Sequence, residues 1–170
     1  MLTYISNSAH YKEVLSRVQS VKHMLWIGTA DIKDLYVEVG KEKKPFLALI
    51  AQLIRRGVEV RLIHEKSLAR ISGSTLTSTQ CCMTAWSVCF VRVFISRCLF
   101  LTGKKYIIGS ANLTGAGIGM KTDNKRNFEA GILTDDPEIV EQAMNQFDEV
   151  WMGKFCKTCK RREFCPAPIA

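Results

Sequence analysis

The sequence predicts an α/β layered domain, and three stretches carry that expectation. Residues 46–56 (FLALIAQLIRR) place apolar side chains at three-to-four spacing and stop at Gly57, as a helix does. Residues 58–64 (VEVRLIH) then alternate with period two, so helix, glycine and strand follow in the order typical of helices layered on a sheet. Near the end, Pro137–Trp151 (PEIVEQAMNQFDEVW) is the clearest helix. Asp135 or Asp136 caps it and Pro137 suits its first turn, while Ile139, Ala143, Phe147, Val150 and Trp151 form a stripe expected to be core.

The other elements fill in between. Residues 11–21 have helical spacing, and 23–32 (HMLWIGTADI) read as a buried strand. Residues 106–113 (YIIGSANL) read as a strand running into a turn, and 127–134 (NFEAGILT) as a further strand. The stretch 67–101 fits neither pattern. It has no acidic residue, holds four of the seven cysteines, and shows neither the polarity of a linker nor the period of a core element.

At 170 residues the chain is expected to form one domain over 1–153, followed by a short tail over 154–170. Its 47% hydrophobic and 24% charged residues exclude a disordered protein. A net charge of +8 fits an anionic partner such as nucleic acid, a phosphodiester or an acidic lipid surface, and equally a merely solvated basic surface. The opening MLTYISNSAHYKE lacks the apolar run of a signal peptide. Residues 85–101 are short for a membrane span and carry Arg92 and Arg97, so no span is expected. Seven cysteines without an export signal suggest a reducing, cytoplasmic setting, in which metal or catalytic roles come before disulfides.

The string GSANLTGAG (109–117), followed by RNFEAGIL (126–133), resembles the phospholipase D superfamily. That superfamily carries the motif H-x-K-x4-D-x6-G-S-x-N and an acidic residue on a following strand. Gly109, Ser110 and Asn112 match its second half, and Glu129 stands where the acidic partner belongs. Element order extends the likeness over 9–65 and 103–151. The resemblance implies a mixed sheet flanked by helices and phosphodiester cleavage without a cofactor. One histidine attacks phosphorus and a second protonates the leaving oxygen, while Lys, Ser and Asn hold the non-bridging oxygens. The acid orients a histidine. A chain with one motif must pair with a second copy to assemble two histidines, which implies a homodimer.

Counting back from Gly109, the motif's Asp falls on Thr102, its Lys on Arg97 and its His on Ile95. Arg97 keeps a cation for phosphate, but Ile95 cannot be a nucleophile. His10, His23 and His64 lie elsewhere and read as surface or strand-end residues. The expected site is therefore Ser110, Asn112 and Glu129, with Gly109 and Arg97 at the substrate phosphate and cleavage through a phosphohistidine impaired. Basic charge favours nucleic acid, hence a nuclease-like lineage. The alternative is a non-catalytic nucleic-acid or phosphate-binding module that keeps the pocket floor.

The misfit of 67–102 has a coding explanation. Suitable codons for VFISRCLFLTG (93–103), read one nucleotide earlier, spell V-H-F-K-M-F-I-F-D-G, with His, Lys and Asp in the slots the motif requires. A pair of compensating frameshifts, or of sequencing errors, is thus expected, and a diverged loop is the competing reading. The tail holds Cys156, Cys159 and Cys165 as C-x2-C-x5-C-P, one thiolate short of a structural zinc or iron–sulfur site. The shifted frame supplies a further cysteine, in C-P-R, that would complete it. Lys154, Lys157, Lys160, Arg161 and Arg162, with Lys121, Lys125 and Arg126, suit a phosphate backbone or a solvated surface.

Overall fold

The computed structural model describes residues 1–32, 35–64, 87–90, 97–101, 105–160 and 162–165. The main sheet is built from β1 (Leu2–Ser6), β2 (Met24–Thr29), β5 (Glu59–His64), β6 (Ser87–Phe90), β7 (Arg97–Leu101), β8 (Lys105–Gly109) and β9 (Ala130–Thr134). Their spatial order is β1-β9-β8-β7-β2-β5-β6, and β3 (Tyr36–Val39) pairs with β4 (Glu42–Pro45) as a separate ribbon. β2, β5 and β6 run parallel, while every other pairing is antiparallel, so the sheet is mixed.

Two apolar layers cover the sheet. On one face Leu25, Ile27, Leu62, Leu99, Ile107 and Leu133 pack under α1 (Phe46–Arg55) and under a helical segment made of a π turn (His10–Val14) and 3₁₀ turns (Leu15–Ser20). On the other, Trp26, Cys98, Phe100 and Tyr106 meet Val140 and Phe147 of α2 (Pro137–Trp151). Successive strand residues point to opposite faces, which is why Trp26 and Ile27 serve different layers.

The helix ends follow the chemistry read from the sequence. Gly57, with φ +81°, takes the left-handed conformation that ends α1. The Asp136 carboxylate accepts from the backbone N–H of Glu138 and Ile139 at 3.1 and 3.2 Å, capping α2.

Two expectations need correction. Ile139 is 42% exposed, and the buried residues of α2 are Val140 and Phe147, spaced seven apart on one face. Phe147 stacks on Trp26 with centroids 5.2 Å apart, so this aromatic contact, not the centre of the apolar stripe, sets the helix rotation. Within the stretch that appeared aperiodic, 97–101 form β7 at the centre of the sheet. A strand buried on both faces needs no polar phase, and Cys98 and Phe100 enter one layer while Leu99 enters the other. Residues 65–86, 91–96 and 102–104, including the family positions Ile95 and Thr102, lie outside the described residues. Among the described residues no helix is long and apolar enough to cross a membrane.

Candidate phosphodiester site

Strand register gathers the site at the carboxyl end of β2 and β5. Ile5 pairs with Gly131, Gly131 with Gly109, and Gly109 with Arg97. Gly28 pairs with Cys98, so the same row continues through Thr29, which pairs with His64. Residues opposite one another share a face, and this row lies on the α1 side with Leu99, Ile107 and Leu133.

The loop after β8 closes over the row. Asn112 Oδ1 accepts from Arg97 Nε at 2.9 Å and from the backbone N–H of Asp31 at 3.2 Å. Thr29 Oγ1 lies 3.5 Å from the same oxygen and accepts from the N–H of Leu113 at 3.2 Å. A single side-chain oxygen thus ties β2, β7 and the β8 loop together, with the guanidinium plane of Arg97 held beside it.

Ser110 and Glu129 form the second half. Ser110 Oγ donates to Glu129 Oε2 and accepts from the N–H of Ala130 at 3.2 Å. Asn127 Nδ2 donates to the other carboxylate oxygen at 3.0 Å. Asn7, at φ 48°, fixes Glu129 through two backbone contacts: its N–H donates to Glu129 O at 2.9 Å, and its Oδ1 accepts from Glu129 N at 3.1 Å. All five residues expected at the site, Arg97, Gly109, Ser110, Asn112 and Glu129, therefore meet at one end of the sheet.

His10 joins them, contrary to its reading as a surface or strand-end residue. It is only 4% exposed, and the turn at Asn7–His10 folds its ring over Gly131. A Cβ at Gly131 would stand 2.9 Å from Ile108 O and 3.0 Å from His10 Nε2, so glycine is what admits the ring. His10 Nδ1 sits 3.1 Å from Asn7 O, whereas Nε2 is buried with no hydrogen-bond partner among the described residues, a cost of about 1–3 kcal/mol. Burial pushes the imidazole below its ordinary pKa, partly opposed by the Asn7 carbonyl, the Glu129 charge and the Ala130 carbonyl. His10, Gly28, Arg97 and Ala111 line one cavity of about 40 Å³, room for ordered water. The sequence offered one hint, a glycine two residues after Glu129 inside a strand pattern, which signals a close neighbour. His64 is buried at the end of β5, and His23 is exposed.

In the tail Cys156 and Cys165 are half-buried and Cys159 is exposed. Turn hydrogen bonds link the N–H of Arg162 to Cys159 O and that of Cys165 to Arg162 O, both at 3.1 Å. Among the described residues no three His, Cys, Asp or Glu side chains converge into a metal-holding set.

Comparison with known proteins is consistent with this geometry. The family model of the cardiolipin synthase, PLD-like domain matches residues 14–151. The chain belongs to this phospholipase D-like family. A search of curated protein sequences finds no match. Among solved structures, NucT from Helicobacter pylori is 14% identical, covering 88% of this chain and 94% of its own, with a TM-score of 0.61. Nuc from Salmonella typhimurium, a phospholipase D family member, is 15% identical over 89% of this chain and 95% of its own, with a TM-score of 0.60. TrmBL2, an archaeal chromatin protein with a novel mode of DNA binding, is 13% identical over 88% of this chain and 51% of its own, at a TM-score of 0.58. At these identities the neighbours establish the fold.

Proposed function

We propose that this phospholipase D-like domain is of nuclease-like lineage and holds the phosphate of a phosphodiester, with cleavage through a phosphohistidine impaired. The observation that carries this reading is the Arg97–Asn112 hydrogen bond, standing beside the Ser110–Glu129 pair at the end of the sheet. A guanidinium presents a planar fork of donors to phosphate oxygens, so arginine serves where the family places lysine. Asn112 keeps its amide N–H donors for a phosphate oxygen, and the single Ser110 hydroxyl hydrogen, held by Glu129, turns to phosphate when one is bound. Impairment follows from Ile95, which stands at the family's nucleophilic position.

Nucleic acid is the favoured substrate class. A groove of about 300 Å³ beside the Asn7–His10 turn is lined by Tyr11, Lys12, Tyr36 and Lys43, with one carboxylate, Glu38, among them. Aromatic faces with flanking lysines suit a single strand, whose bases stack while its phosphates meet cations. The same groove also supports the second reading, a binding module that does not cleave. A second copy of the chain completing the site is part of the proposal, and sedimentation velocity reads it directly. The thiols of Cys156 and Cys159, in no disulfide, suit a reducing, cytoplasmic setting.

The deciding experiment compares this chain with its frame-corrected version on single-stranded DNA. Cleavage restored by the corrected chain supports an enzyme lineage, whereas binding without cleavage by both supports the module. Codons across 60–110 that cannot spell His, Lys and Asp one nucleotide earlier would eliminate the frameshift.

A further inference from the structure

We infer that His10 is the proton acceptor of this pocket: its ring, pressed on Gly131 and lining the cavity it shares with Arg97, takes a proton from a water attacking a phosphodiester held on Arg97 and Ser110. This inference rests on the phosphate reading given above.

Three observations of geometry support it. First, the Asn7 carbonyl only accepts, so the 3.1 Å contact favours the hydrogen on His10 Nδ1 and a lone pair on Nε2, with the Ala130 carbonyl the competing acceptor. Second, the lone pair is spare. Nε2 is buried, finds no hydrogen-bond donor among the described residues, and lies against a glycine whose missing side chain makes the space. A buried polar atom left this way calls for a role or a water. Third, the placement is coupled to the site. Asn7, which holds His10, is bound through both its N–H and its Oδ1 to the backbone of Glu129, the residue that orients Ser110.

The charged groups around the ring suit a base. Among the described residues Glu129 faces it from the approach to β9, and Arg97 shares its cavity from β7. Lys12 and Glu13 on its own turn are exposed. Glu129 favours the imidazolium once formed, and burial keeps the imidazole neutral before that.

The step balances without a phosphoenzyme. The water oxygen bonds to phosphorus, its proton passes to His10 Nε2, and the ester oxygen leaves with the electron pair of the broken P–O bond. The proton is then released to solvent. No general acid is assigned to the leaving oxygen, so esters of acidic alcohols such as nitrophenol react and alkyl esters lag far behind.

The test uses the full chain and bis(4-nitrophenyl) phosphate. Wild type is expected to turn over slowly, with a rate that falls on acidification through the imidazole range. His10→Gln should lower the rate by about 10²-fold, the scale of a lost general base, while inorganic phosphate still binds by ³¹P NMR. Equal rates for the two chains, or no turnover by a wild type that binds phosphate, would overturn the role of His10. Phosphate binding unaltered in both Arg97→Ala and Ser110→Ala would instead overturn the pocket itself. Imidazole ¹⁵N NMR of the wild type gives a readout independent of any variant's folding. The Nδ1-protonated tautomer, with Nε2 shifting when phosphate is added, supports the role, and an Nε2-protonated ring refutes it.

Discussion

Arg97, the first residue of β7, donates from Nε to Asn112 Oδ1 over 2.9 Å and so joins a central strand to the loop that follows β8. The same oxygen accepts the N–H of Asp31, which makes Asn112 a structural fastener besides the phosphate-holding role proposed for it. Replacing Asn112 with Ala leaves these donors without their acceptor and is expected to cost about 1–3 kcal/mol in chemical denaturation. Asn112→Asp separates the two roles. A carboxylate strengthens the bond to Arg97 but repels a bound phosphate, so the melting temperature should hold while phosphate affinity falls. Unchanged affinity in Asn112→Asp would remove Asn112 from the site.

His10 gives the chain a predictable pH dependence. Its folded pKa is lowered, with burial the largest cause, so between the folded value and about 6.5 the unfolded chain binds more protons. The stability associated with His10 is therefore present above the unfolded pKa and is lost as pH falls through the folded one. Urea midpoints measured either side of that window should drop on acidification in wild type and drop less in His10→Gln. Parallel slopes in the two proteins would show that His10 is not buried as a neutral ring.

Gly131 is the counterpart of that histidine. A methyl group there meets Ile108 O at 2.9 Å and His10 Nε2 at 3.0 Å, and the backbone carbonyl cannot retreat without disturbing the β8–β9 ladder. Gly131→Ala should destabilise the chain by about 1–3 kcal/mol, the usual cost of overpacking. Thermal melting of Gly131→Ala beside Gly131→Ala/His10→Ala separates the two contacts. Partial recovery in the double variant assigns part of the strain to the ring.

What was legible in the sequence was local. The stop at Gly57 depends on one left-handed residue, the cap at Asp136 on one side chain and two amides, and both are written in a few consecutive letters. Ser110, Asn112 and Glu129 were picked out through the family motif and its acidic residue on a following strand, and strand pairing brings them to one end of the sheet. His10 was not, because the glycine that receives it lies on the last strand and only the pairing of Ile5 with Gly131 brings the two together. β7 was obscured for the opposite reason: Cys98, Leu99 and Phe100 are all buried, so the alternation that marks a half-exposed strand is absent.

The rotation of α2 shows the same limit and yields a sharp contrast. Helical spacing alone put Ile139 and Phe147 on one stripe, but Phe147 is 2% exposed between Trp26 and Phe100, whereas Ile139 is 42% exposed. Phe147→Ala removes a ring from a packed aromatic cluster and should cost about 3–5 kcal/mol, the range for deleting a buried aromatic. Ile139→Ala should change stability by no more than about 0.5 kcal/mol, since a mostly solvated side chain loses little by truncation. Equal losses in the two variants would mean that α2 is rotated toward the stripe read from spacing. That rotation would move Asp148 away from Arg61, with which it is now paired. Because Arg61 also lies over the Trp26 ring at 4.3 Å, the fluorescence of the tryptophans offers an independent check. Asp148→Asn should alter the emission if the helix sits as described and leave it unchanged if it does not.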